Sequence, residues 1–193
     1  MTKERFLAYT DAIIAIIATL MVLELPRPKG VSLHAIAALG APFFAYLLSF
    51  MMIWNVWYNH HALFKEVKVI NARIYWWTGL WIFVMSLFPL VTGYVGNYPN
   101  ARLPELIYLL ILTIWSISFN MTERELVKEN PHIALSERDY SGSYRLVTFG
   151  ILVSSYIIVW FWPVYVMLTV LFLSIMAIFM QLKVLRLKKE KKK

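Results

Sequence analysis

Six apolar segments run along the chain, at roughly 6–25, 35–59, 70–96, 103–121, 145–162 and 163–183. At ~1.5 Å rise per residue, about 20 helical residues span roughly 30 Å, the thickness of a bilayer's hydrocarbon core. The pattern predicts an all-α integral membrane fold, with six transmembrane helices in a single domain over 1–193. Only Trp160-Phe161-Trp162-Pro163 separates the last two segments, and its proline marks a tight turn. Pro89 falls in the middle of the third segment, where a kink is expected. The single long hydrophilic stretch, about 122–143, reads as a loop containing a short amphipathic helix. The basic tail, 184–193, reads as a solvated end near anionic lipid. No second domain or internal repeat is visible.

Composition agrees with the pattern. The chain is 60% hydrophobic and 16% charged, with 8 Trp, 11 Tyr and 12 Phe, whereas a soluble domain is about a quarter charged. Aromatic residues in this number suit belts at both membrane interfaces. The absence of cysteine excludes disulfides, thiolate metal sites and cysteine nucleophiles. A cleavable leader is not expected, because the first apolar stretch is too long and ends in Glu24-Leu25-Pro26-Arg27-Pro28. The net charge of +8 is distributed by topology and does not point to nucleic acid. All the basic residues except Arg27, Lys29 and Arg102 fall on the side that carries the two termini. By the positive-inside rule, both termini of this multi-pass cell-membrane protein are expected to be cytoplasmic.

Few residues suggest chemistry. Thr92-Gly93-Tyr94-Val95-Gly96 has the residues of a carbonyl selectivity filter in scrambled order and with no pore helix before it, so it reads as the end of a helix. His60 and His61 are adjacent and point about 100° apart on a helix, which is poor spacing for one metal ion. No metal site is expected. Asn120-Met121-Thr122 matches a glycosylation sequon but lies on the cytoplasmic side. No serine–histidine–acid set or carboxylate pair stands out, so neither a catalytic residue nor an enzyme is expected.

The first segment is the exception. It carries Arg5 and Asp11 near one end, Thr19 deeper and Glu24 at the other. A charge within a span costs about 2.5–3.5 kcal/mol on insertion scales, and the folded protein has to offset that. Ile16, Leu20 and Leu23 share one helix face with Thr19 beside them, a stripe that on spacing alone suits ordinary helix packing.

Arg5-x-x-x-Tyr9-Thr10-Asp11 resembles the R-x-x-x-F-S-D signature that opens the first helix of the transmembrane protein 175 family. These are lysosomal potassium channels of animals with shorter prokaryotic relatives. The run from Ala12 to Leu25, Trp57-x-x-His60-His61-x-x-Phe64, Asn71 and Phe88-Pro89 are similar to the family as well. Tyr9 and Thr10 depart from the motif as close replacements. The resemblance is specific over 5–25 and 50–90 and loose elsewhere.

The resemblance implies a homotetramer whose first helices line a central pore, with potassium as the permeant ion, no cofactor, and membrane lipids as surroundings. It implies an apolar constriction at Ile16 with further layers at Leu20 and Leu23, and a role in selectivity for Thr19. Glu24 would stand at the pore mouth. Arg5, Tyr9, Thr10 and Asp11 would form a structural motif with Trp57, His60 and Asn71 as partners. Two other classes fit the residues: a small proton- or cation-coupled secondary transporter titrating at Asp11, and a membrane scaffold.

Overall fold

A computed structural model describes residues 2–65, 67–132 and 142–190. The middle of the expected hydrophilic loop, 133–141, and the end of the tail, 191–193, lie outside the described residues.

Helix α1, Lys3–Leu20, starts on Thr2, whose hydroxyl accepts from the Arg5 N–H, with Glu4 in the positive first turn. It tightens into a 3₁₀ turn, Met21–Glu24, and stops because Pro26 forces Leu25 into extended backbone. Gly30, at φ 146°, turns the chain into the short helix α2, Leu33–Ala37. The main helix of the second segment, α3, then runs Gly40–Lys65.

Asn71 caps α4, Ala72–Met85, by accepting from the Ile74 N–H at 2.8 Å. The expected kink is a full break. Pro89 at the second position of α5, Phe88–Asn97, has no N–H and would clash with the carbonyl four residues back. Helix α6 spans Arg102–Glu129, α7 Gly142–Ile158 and α8 Tyr165–Glu190.

Three ends differ from the sequence pattern. Helix α3 continues six residues past 59, because His60, Leu63 and Phe64 in that stretch are buried against the rest of the bundle. Helix α6 runs on to Glu129, so 122–129 is helix continuous with the span. The backbone of α8 stays helical through 184–190. Among the described residues, four helical stretches are long and apolar enough to cross a membrane: Lys3–Glu24, Gly40–Lys65, Ala72–Asn97 and Arg102–Glu129. The last two of the six expected spans contain shorter apolar helices, Leu146–Ile158 and Tyr165–Phe179.

The core lies where α3, α4, α5 and α6 meet, around Trp81, Phe88, Tyr108, Leu48 and Ile53, all fully buried. Helix α4 packs mainly on α6, and α3 on α5 and α8. Helix α1 leans on this group along one side, and α7 closes on α8 and α6. A second cluster, Phe6, Leu63, Phe64, Val67, Ile74 and Leu126, fills the end of the bundle near the N-terminus.

Candidate functional site

The two sides of α1 have different surroundings. Phe6, Thr10, Ile14, Ile17 and Met21 recur at helical spacing and are buried against the chain's other helices. The opposite side carries Tyr9, Ala12, Ile16, Thr19, Leu20 and Leu23, all exposed. Ile16 keeps 56% of its surface open and Leu23 73%, so nothing among the described residues covers the apolar stripe. Beside it, the Thr19 hydroxyl donates to the Ile16 carbonyl at 2.8 Å. That bond uses its proton and leaves its oxygen as an acceptor on the open face.

The motif residues near the N-terminus are held in several ways. The Trp57 indole N–H donates to Asp11 Oδ1 at 3.0 Å, joining α1 to α3. Thr10 is buried and donates to the Leu7 carbonyl. Arg5 and Tyr9 are exposed on the side away from the bundle. The Phe6 ring packs on Phe64 and Tyr75, and Lys3 Nζ donates to the Lys65 carbonyl at 2.9 Å.

His60 is fully buried, with its ring 5.1 Å from Trp81 and 4.5 Å from Phe64. His61 is exposed and turns toward Trp57. The two imidazoles therefore lie in different surroundings, and no group of three His, Cys, Asp or Glu that could hold a metal occurs among the described residues. Asn71 serves as the cap of α4, not as a contact of Asp11.

At the other end, Glu24 is exposed but leans on α5, where a Cβ added to Gly93 would lie 3.0 Å from Glu24 Oε2. The scrambled filter residues Thr92 to Gly96 are part of α5, so their carbonyls face along a helix.

Sequence reasoning missed a buried polar cluster near this end. Thr92 donates to Ser49 Oγ at 2.9 Å, and Ser49 shares a hydrogen bond of 2.8 Å with the Tyr108 hydroxyl. Glu105, one turn before Tyr108 on α6, is fully buried. Only Glu105 carried a sequence signal, as a carboxylate just inside a span.

Residues 5–89 match the family model described as "Endosomal/lysosomal potassium channel TMEM175". A protein of Chryseobacterium sp. named a potassium channel is 35% identical over 142 residues, covering 73% of this chain and 74% of that one. The chain belongs to the TMEM175 family. A TMEM175 member from Chamaesiphon minutus, solved as "a lysosomal potassium-selective channel TMEM175 homolog", superimposes with a TM-score of 0.73 at 25% identity, over 94% of this chain and 97% of that one. The rat TMEM175, named an endosomal/lysosomal proton channel, is 36% identical over 52% of this chain but only 21% of its own length. The match thus spans about a fifth of the animal TMEM175 protein. Family membership and the apolar helices together make this a multi-pass membrane protein of a channel family.

Proposed function

We propose that the chain is one subunit of a homotetrameric potassium-selective channel in the cell membrane, with both termini cytoplasmic. The α1 helices of four copies line its central pore. Ile16 forms the narrowest ring, Leu20 and Leu23 form further apolar layers, Thr19 contributes to selectivity, and Glu24 stands at the mouth. One observation carries this reading: the Ile16–Leu20–Leu23 stripe lies on the side of α1 that the other described residues leave open. In a lipid-facing helix such a stripe needs no partner, so it is the kinship with proteins named potassium channels that favours a pore. The Asp11–Trp57 contact supports a structural role for the motif, since it directs the carboxylate toward α3 and away from the open face.

An apolar ring selects by dehydration. A constriction narrow enough to strip water penalises the ion that holds its shell more tightly. Potassium sheds water at lower cost than sodium, so potassium passes more readily without being coordinated. Apolar rings also close by dewetting when the radius falls slightly. The expected selectivity is modest beside that of a carbonyl filter.

Recording from the purified protein in planar bilayers tests the proposal. Unitary currents that reverse near the potassium equilibrium potential are expected in a potassium/sodium gradient, and would exclude a coupled carrier and a scaffold. The animal relatives carry the name proton channel, which favours one second reading. A reversal potential that follows the pH gradient, and not the potassium gradient, would select it.

A further inference from the structure

We propose that Glu105 is a proton-binding site, and that the close packing of α3, α5 and α6 around it requires the bound proton. Glu105 is 0% exposed, although it belongs to a helix long and apolar enough to cross a membrane. Neither of its carboxyl oxygens has a hydrogen-bond partner among the described residues. An ionised carboxylate in that position would have given up its water and gained no partner in return. A bound proton removes the charge, and a neutral acid costs far less to bury than an unpaired ion. Loss of the proton would put a charge among α3, α5 and α6, and their packing would have to loosen before water could reach it.

A cation, a set of donors or a helix start would each favour the ionised form instead. The cation on α6 is Arg102, one turn earlier, but it is exposed and its guanidinium lies over the Trp160 ring, 5.7 Å from the centroid. The Arg73–Glu125 ion pair is at the other end of α6. The buried hydroxyls do not serve as donors to the carboxyl: Thr92 donates to Ser49, and Tyr108, one turn on from Glu105, bonds to Ser49. Glu105 is in the first turn of α6, where the partial positive charge of the helix favours an anion, but no N–H of that turn donates to its carboxyl. The other titratable side chains at this end are Tyr46 on α3, Tyr94 and Tyr98 on α5, Glu24 on the 3₁₀ turn, Tyr156 on α7 and Tyr165 on α8. Phenols are neutral at physiological pH and Glu24 has the same sign, so none of them offsets a charge on Glu105. The titratable residues of α4, Arg73 and Tyr75, are at its opposite end.

Infrared spectroscopy of the full-length protein in liposomes tests the site. At a pH of about 8 exposed carboxylates are ionised, so a carbonyl stretch of neutral carboxylic acid comes from buried groups. That band is expected in the unmodified protein, and it is expected to lose intensity in Glu105→Gln, whose amide is a neutral substitute for the acid. An acid band unchanged by Glu105→Gln would overturn the proposal. Glu123, 5% exposed, is the other buried carboxyl among the described residues. Glu123→Gln is therefore expected to keep the contribution of Glu105, and complete loss of the band there would overturn the proposal even if Glu105→Gln fails to fold. Thermal unfolding in detergent reads the packing. A folded protein that holds a proton which an exposed carboxyl would release becomes less stable as the pH rises from about 5 to about 8. Over that range the unmodified protein is expected to lose at least about 5 °C more in melting temperature than Glu105→Gln. Equal losses would overturn the proposal. Both readouts are independent of whether the α1 face conducts ions.

Discussion

Asp11 and Ile16 are little more than one turn apart on α1, yet one faces a tryptophan on α3 and the other faces outward. The cost of an aspartate within a span was legible in the sequence, and its partner among Trp57, His60 and Asn71 was not. An indole N–H, an imidazole and an amide can each bond a carboxylate, and the choice depends on how α1 and α3 cross. His60 is instead buried among Trp81 and Phe64, and Asn71 is occupied by its own helix start. Trp57→Phe removes the one indole donor to Asp11. A hydrogen bond to a charged group is worth about 1.5–3 kcal/mol, so the variant is expected to unfold in detergent at a clearly lower temperature. In an Asp11→Asn background the same change should cost less. Equal losses in both backgrounds would show that the bond contributes nothing.

Among the elements, α5 depends most on side chains that are absent. A Cβ at Gly96 would come within 2.8 Å of the Pro42 Cα, a backbone atom that cannot step aside. Gly96→Ala is therefore expected to destabilise the packing of α5 on α3 by about 1–3 kcal/mol, measured as thermal unfolding of the detergent-solubilised protein. An unchanged melting temperature would mean that this contact is looser than described. The end of α6 is fixed by a single amide. Asn130 accepts from the N–H groups of Lys68 and Val69 at 2.9 Å and donates to the carbonyls of Val69 and Leu126 at 3.0 Å. Asn130→Asp keeps the two acceptor bonds and loses both donations. Faster backbone hydrogen exchange is expected at 67–71, where the α3–α4 connection is held by this residue.

The first four apolar segments and an interruption at Pro89 were legible, because length and proline chemistry act locally, although the interruption is a break between α4 and α5 and not the expected kink. The ends of α3 and α6 were not. Their ends mix polar and apolar residues, and they stay helical because His60, Leu63, Phe64, Leu126 and Asn130 pack against residues far away in sequence. The hydroxyl chain Thr92–Ser49–Tyr108 was invisible for the same reason, since 59 residues separate Ser49 from Tyr108.

For the whole molecule, the open apolar face of α1 has to meet either lipid or other copies of the chain. A homotetramer requires a protein mass of four times 22.6 kDa after subtraction of detergent, measured by light scattering. A monomer mass in mild detergent would remove the basis for a pore shared among first helices. The periodicity of the stripe was readable, but which way it faces was not, because any apolar helix has such a stripe. Only the packing of Ile14, Ile17 and Met21 against the bundle decides that Ile16, Leu20 and Leu23 point away from it. The most direct measurement is the reversal potential of Ile16→Asn in a potassium/sodium gradient, compared with the unmodified channel. A polar side chain at the proposed constriction would keep water in the ring, so conductance should rise and the reversal potential should shift toward zero. Conductance and reversal potential both unchanged by Ile16→Asn would contradict a constriction at the open face of α1.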